Sequence, residues 1–242
     1  MNTDIMFIKS TSKKKEIKKG LYLVSTPIGN LSDITLRAID ILKNSEYILC
    51  EDTRVSKKLL NKFEIKTKLI SNHKFNEVKN LSKIINLLKK DKIISIISDA
   101  GTPGISDPGF LLVRESLANQ IEVFCLPGPT ALIPALIQSG FPTDRFVFEG
   151  FLPQKKGRLS RIKSLAIEKR TIVIYESPHR IIKTLTQLLP HFGETRKVSV
   201  VRELTKKFET QFRGSINEAI NYFSENKPKG EFVISISAEL QN

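Results

Sequence analysis

Residues 92–109, KIISIISDAGTPGISDPG, carry the reading that decides the fold. The apolar run KIISIIS (92–98) passes directly into a loop holding Gly101, Pro103, Gly104, Pro108 and Gly109, and a new apolar segment opens at Phe110. A strand without polar alternation is buried on both faces, as in a parallel sheet covered by helices. Working outward, similar short runs occur at LYLVS (21–25), YILC (47–50), TKLIS (67–71) and IEVFCL (121–126). Between them Ile34, Ala38, Ile41 and Leu42, then Val78, Leu81, Ile85 and Leu88, recur at helical spacing. Asp33 is the expected N-cap of the first of these helices. The alternation predicts an α/β protein, with βα units around a mainly parallel sheet.

In such sheets ligands bind outside the carboxyl ends of the strands. The glycines at 101, 104 and 109 permit positive φ angles and close approach of a ligand to the backbone. Their spacing is not G-x-G-x-x-G, and Phe110 and Leu111 stand where a Walker A loop needs Lys and Ser/Thr. Pro103 and Pro108 also remove amide donors that an anion would want. Asp99, Asp107 and backbone carbonyls instead suit a ligand with a cationic centre and adenosine hydroxyls; the alternative is a tight structural turn. STPIGNLSD (25–33) and LPGPTALIPAL (126–136) repeat the texture after the first and fifth strands. Each alone reads as a turn, but three together imply one shared cleft, with hydroxyls at Ser25, Thr26, Ser106 and Thr130 and with Ala131 small enough for close approach.

Gly140, Pro142, Gly150 and Pro153 bracket the strand-like RFVFE (145–149), which places a domain boundary near residue 140. The expected organisation is a basic leader over 1–19, a first α/β domain over 20–140 and a second over 141–242. The second holds a basic helix (155–169), strand TIVIY (171–175), a helix (178–189), strands near 197–202 and 208–213, a helix (215–225) and strand EFVISIS (231–237). Its adjacent late strands imply antiparallel pairing and a mixed sheet.

The 242 residues include 39 Lys+Arg against 25 Asp+Glu, a formal charge of +14. That balance attracts polyanions, nucleic acid above all, although an A/T-rich gene enriches Lys, Asn and Ile to the same effect. Lys155, Lys156, Arg158, Arg161 and Lys163 lie together just past the boundary and suit phosphate contact; a solvated helix face is the alternative. Phe151 beside them either stacks a base or belongs to the core. Cys50 and Cys125 form neither a disulfide framework nor a metal pair, which fits a reducing cytoplasm. His73, His179 and His191 have no shared metal spacing, so no metal is expected. The leader, with Lys9, Lys13, Lys14, Lys15, Lys18 and Lys19, has no following apolar segment, and no run is long enough to span a membrane.

Eight ordered motifs between about residues 20 and 237 closely resemble one family: TPIGNLSDITLRAIDIL (26–42), EDTR (51–54), SDAGTPGISDPG (98–109), LPGPTALIPAL (126–136), FEGFLPQKKGR (148–158), YESPHR (175–180), VVRELTKKFE (200–209) and KGEFVIS (229–235). The family is that of the tetrapyrrole methylases, or class III methyltransferases, and within it the bacterial 16S rRNA (cytidine-2′-O)-methyltransferases. The resemblance implies two α/β domains with S-adenosylmethionine bound in the cleft between them, and a homodimer. It also implies, as acceptor, a ribose in the decoding region of 16S ribosomal RNA, offered as RNA or as the small ribosomal subunit. Matched motif by motif, the donor site is Thr102, Pro103 and Ile105 with Asp99, Ala100 and Gly101, then Thr130 and Ala131, and Tyr175 at the end of the strand that opens YESPHR. Longer members continue past KGEFVIS into a helical extension, whereas this sequence stops at Asn242. RNA contact is therefore expected from the leader and the basic helix.

Methyl transfer from a sulfonium needs no metal, but a ribose hydroxyl is a weak nucleophile that needs positioning and a base. Glu176 and His179, three apart across a Pro178 that suits the first position of a helix, are the catalytic candidates. The alternative is an ordinary Glu176–Arg180 ion pair with His179 merely packed. Two other functions stay open: a small-molecule, tetrapyrrole-type methylase of the same fold, and a non-catalytic RNA-binding protein of ribosome assembly.

Overall fold

The computed structural model describes residues 16–238, so most of the leader, including Lys9 and Lys13 to Lys15, lies outside the described residues. The first sheet holds β1 (Gly20–Leu23), β2 (Tyr47–Cys50), β3 (Lys68–Ser71), β4 (Ile93–Ile96) and β5 (Val123–Cys125), in the order β3-β2-β4-β1-β5. All its pairings are parallel. The crossovers carry α1 (Leu36–Asn44), α2 (Thr53–Lys62), α3 (Glu77–Leu88) and α4 (Phe110–Ala118). Because successive strand residues face opposite ways, Leu21, Leu49 and Ile94 pack with Ile84 and Leu112 on one face. Tyr22, Ile48 and Ile93 pack with Leu42 and Leu60 on the other. Burial on both faces is why the inner strands β1, β2 and β4 read as apolar runs, while the edge strands β3 and β5 are only partly covered.

Helix α1 begins two residues later than Asp33 would set it. Thr35 is the cap, its hydroxyl accepting from the Ala38 amide at 3.0 Å, while Asp33 ends a 3₁₀ turn over Leu31–Asp33. Both residue types cap well, and the later one brings Ala38, Ile41 and Leu42 onto the buried face.

The second sheet runs β6-β7-β10-β8-β9 and is mixed: β6 (Phe146–Phe151) lies parallel to β7 (Thr171–Glu176), and all other pairs are antiparallel. The remaining strands are β8 (Lys197–Arg202), β9 (Thr210–Ser215) and β10 (Phe232–Ile236). One face is covered by α6 (Arg158–Ala166), α7 (Ile181–Phe192) and α8 (Ile216–Glu225) through Ile162, Leu185 and Phe223. Helix α7 starts at Ile181, not at Pro178. Residues 177–180 form a turn in which the Ser177 carbonyl accepts from the Arg180 and Ile181 amides at 3.1 Å.

The other face receives α5 (Leu132–Ser139), whose Ala135 and Leu136 pack against Val173, Val201 and Val233. Helix α5 precedes the boundary expected at residue 140, yet its apolar side is buried on the second sheet. The chain thus crosses between the sheets in the 126–131 loop. Among the described residues, no helix is long and apolar enough to cross a membrane.

Candidate active site

Strands β4, β1 and β5 are neighbours in the first sheet, so the loops that leave their carboxyl ends must meet. Hydrogen bonds tie them together. Thr26 and Gly101 exchange both backbone bonds at 2.9 Å, and the Thr26 hydroxyl donates to the Ser98 carbonyl at 3.0 Å. Thr102 Oγ1 lies 3.0 Å from Ser25 Oγ and donates to the Pro129 carbonyl at 3.1 Å. Gly101 sits at φ +81°, a conformation that a side chain would strain. Gly128 leaves no room for a Cβ, which would come within 2.7 Å of Ser25 Cβ.

Above these loops opens a cleft of about 260 Å³, walled on the other side by the second sheet. Ala100, Gly101, Thr102, Ile105, Thr130 and Ala131 line it, and Tyr175 and Glu176 meet them from the end of β7. Tyr175 ties β7 to the start of α5: its hydroxyl accepts from the Leu132 amide at 3.1 Å, and burial raises its pKa. Pro103 is buried behind the loop, whereas Asp99 is exposed and His179 is exposed on the 177–180 turn; none of the three lines the cleft.

The Glu176 carboxylate is not free. One oxygen takes the Arg180 Nε and the Ser177 amide, both at 2.8 Å; the other takes the Thr184 hydroxyl at 2.6 Å and lies 3.9 Å from Arg158. Its side chain has no solvent exposure. A carboxylate held in this way is an anchor for the wall, as in the ion-pair alternative.

Arg158 is likewise corrected from the expected phosphate-binding set. It is buried, and its guanidinium donates to Gln187 (2.7 Å), Thr184 (2.6 Å) and the Pro153 carbonyl (3.1 Å). At the first position of α6, after a Gly157 with φ +82°, its side chain turns inward. Lys155, Lys156 and Arg161 are exposed, Arg161 reaching back to Glu149 at 3.0 Å.

The carboxyl end of the first sheet is acidic. Burial, with Asp107 and Asp99 nearby, pushes Glu51 up to about 7; burial, with Asp99 and Glu231 nearby, pushes Asp107 up to about 6. Asp99, exposed as a residue, is raised as well by partial desolvation of its carboxyl, with Asp52 nearby. Only Asp107 of these three lines the cleft. Among the described residues, no group of His, Cys, Asp and Glu has the geometry of a metal site.

The tetrapyrrole (corrin/porphyrin) methylase family matches residues 20–220 of the sequence. The chain belongs to the tetrapyrrole methylase family. Its sequence is 51% identical over 218 residues to the ribosomal RNA small subunit methyltransferase I of Synechocystis sp., covering 90% of this chain and 78% of that one. The protein of that name from Thermotoga maritima is 48% identical over 90% and 98% of the two chains. In fold it is similar to uroporphyrin-III-C-methyltransferase of Thermus thermophilus (TM-score 0.63, 17% identity, 90% and 93% covered) and to a cobalt precorrin-4 methyltransferase (TM-score 0.64, 16% identity, 90% and 94% covered). Like its relatives, this member of the tetrapyrrole methylase family is a methyltransferase.

Sequence reasoning did not find the cleft wall given by the 201–206 and 231–233 segments: Val201, Leu204 and Val233, with Glu203, Lys206 and Glu231. Lys206 Nζ holds Glu203 at 2.8 Å and Glu231 at 2.7 Å, and Gly29 of the first domain packs against the Lys206 stem, where a Cβ would meet Cγ. The signals for it were the RELTK and KGEFVIS motifs, which do not say which loop they touch.

Proposed function

We propose that this protein transfers the methyl group of S-adenosylmethionine to the ribose 2′-oxygen of a cytidine in the decoding region of 16S ribosomal RNA, acting as a cytoplasmic homodimer. The observation that carries the donor half is the convergence of three hydrogen-bonded loops on one cleft, with a carboxylate, hydroxyls and an apolar wall in the same space. When bound, S-adenosylmethionine supplies a methyl group on a positively charged sulfur, open to in-line attack by an oxygen. The residues present fit it. Asp107 offers the negative charge, Thr130 a hydroxyl, and Val201, Leu204 and Val233 an apolar surface for the adenine. Gly101 and Ala131 keep the loop thin enough for close approach.

The acceptor half rests on the name that the relatives share and on Lys155, Lys156 and Arg161, exposed where RNA phosphates would pass the cleft. The protein's part in the reaction is to exclude water and to fix the hydroxyl in line with the methyl group.

The test is transfer of labelled methyl from S-adenosylmethionine to small-subunit RNA and to assembled subunits from cells that lack the modification, followed by nuclease digestion and mass analysis. 2′-O-methylcytidine is expected. Label on a base, or on a tetrapyrrole in place of RNA, would sink this reading.

A further inference from the structure

We propose that Phe151 is the platform on which the base of the acceptor nucleotide stacks, held in place by Arg180; this rests on the RNA reading above. The argument starts in the pairing of β6 with β7. Phe148 lies opposite Val173, but Gly150, not Glu149, lies opposite Ile174, and Phe151 lies opposite Tyr175. Val173 and Tyr175 share the sheet face that meets α5, together with Phe148. In an unbroken strand Phe151, three residues after Phe148, would face the other way, into the core that holds Ile172 and Ile174. The extra residue is a β-bulge, and Gly150 at φ +68° permits it. A Cβ at Gly150 would come within 2.8 Å of Ser106 Oγ, so the bulge also sits hard against the donor loop.

The bulge turns a large apolar ring out of the core and into the cleft. Phe151 lines the cleft and is 50% exposed, while the next residue, Leu152, is 1% exposed in the core. Its ring is braced. Tyr175 meets it edge-on at 5.7 Å, and the Arg180 guanidinium lies over it at 6.0 Å. Arg180 is itself fixed by Glu176 at 2.8 Å and by Ser177 Oγ at 3.3 Å, so the Glu176 network behind the wall sets the position of the ring. A braced aromatic beside a guanidinium is suited to a nucleobase, because every base has a π-face and the cation adds to the attraction. The phosphate contacts adjoin it: Arg161 binds Glu149, the residue that the bulge leaves unpaired, and Lys155 and Lys156 follow a few residues on.

Stacking one base on an aromatic is worth roughly five- to 150-fold in affinity. Methyl transfer to small-subunit RNA and the dissociation constant for S-adenosylmethionine, by titration calorimetry, are measured for the unaltered protein, Phe151→Ala and Phe151→Tyr. Expected are a fall of about ten-fold or more in kcat/KM for RNA in Phe151→Ala, recovery in Phe151→Tyr, and donor binding within two-fold throughout. Wild-type kcat/KM in Phe151→Ala overturns the assignment. So does a loss of donor affinity equal to the loss of kcat/KM, which would place the ring against the donor, and so does Phe151→Tyr as poor as Phe151→Ala with both folded, which would make the ring structural. No transfer to RNA by the unaltered protein, with donor still bound, overturns the functional reading instead and this one with it.

Discussion

The hydroxyl of Thr102 already has two partners in the folded chain, Ser25 and the Pro129 carbonyl, so its work is to hold three loops in register around the donor. Thr102→Val keeps the shape and removes both bonds. At about 1 kcal/mol for each of the two hydrogen bonds that shape the site, donor affinity is expected to fall by up to about thirty-fold, read by calorimetry, with the fold retained; unchanged affinity would mean that the loops need no such tie. Glu176 carries a different load. With its carboxylate fully buried among Arg158, Arg180 and Thr184, Glu176→Ala leaves two guanidinium groups without their countercharge and is expected to cost about 3 kcal/mol of stability in urea unfolding. The spacing of Glu176, His179 and Arg180 is equally compatible with an acid–base pair and with an ion pair. What distinguishes them is the inward turn of Arg158 from another helix, eighteen positions upstream of Glu176, which no local pattern records.

At the scale of elements, α6 shows what a charge run conceals. The five basic residues over 155–163 look equivalent in one dimension, but the left-handed Gly157 sends Arg158 under the helix and leaves Lys155, Lys156 and Arg161 outside. The triple change of those three to Ala is expected to weaken RNA binding and to flatten the dependence of log affinity on log salt by about two units, at about 0.7 for each single-stranded phosphate contact. Arg158→Ala is expected to leave that slope alone and to lower the urea midpoint. A triple variant with an unaltered slope would make the run a solvated face. The inner strands of the first sheet were legible because burial on both faces leaves a continuous apolar signature, and YILC matches β2 residue for residue. Helix α5 was not assignable to a sheet by the same means: LIPALIQS shows an apolar helix, but which sheet it covers depends on where the chain crosses over.

For the molecule as a whole, the carboxyl end of the first sheet sets function against stability. Folding raises Glu51 to about 7 and Asp107 to about 6, against values near 4 in an unfolded chain. The folded state therefore holds these protons more tightly, and the stabilisation they give is complete below about pH 4 and is lost as the pH rises through 6 and 7. Glu51→Gln and Asp107→Asn, which are neutral at every pH, should each unfold at higher urea than the parent at pH 8, by on the order of 1 kcal/mol after allowance for partial solvent exposure, and the difference should vanish near pH 4. Donor binding runs the opposite way. If Asp107 is the countercharge for the sulfonium, affinity for S-adenosylmethionine should rise between pH 5 and 7 as the carboxyl ionises, because the cation favours its charged form. In Asp107→Asn the affinity should be lower and flat over the same range. A variant that gains stability at pH 8 while losing both affinity and its pH dependence would place the charge where the cleft uses it. One that gains stability and binds as well as the parent would remove Asp107 from the donor site.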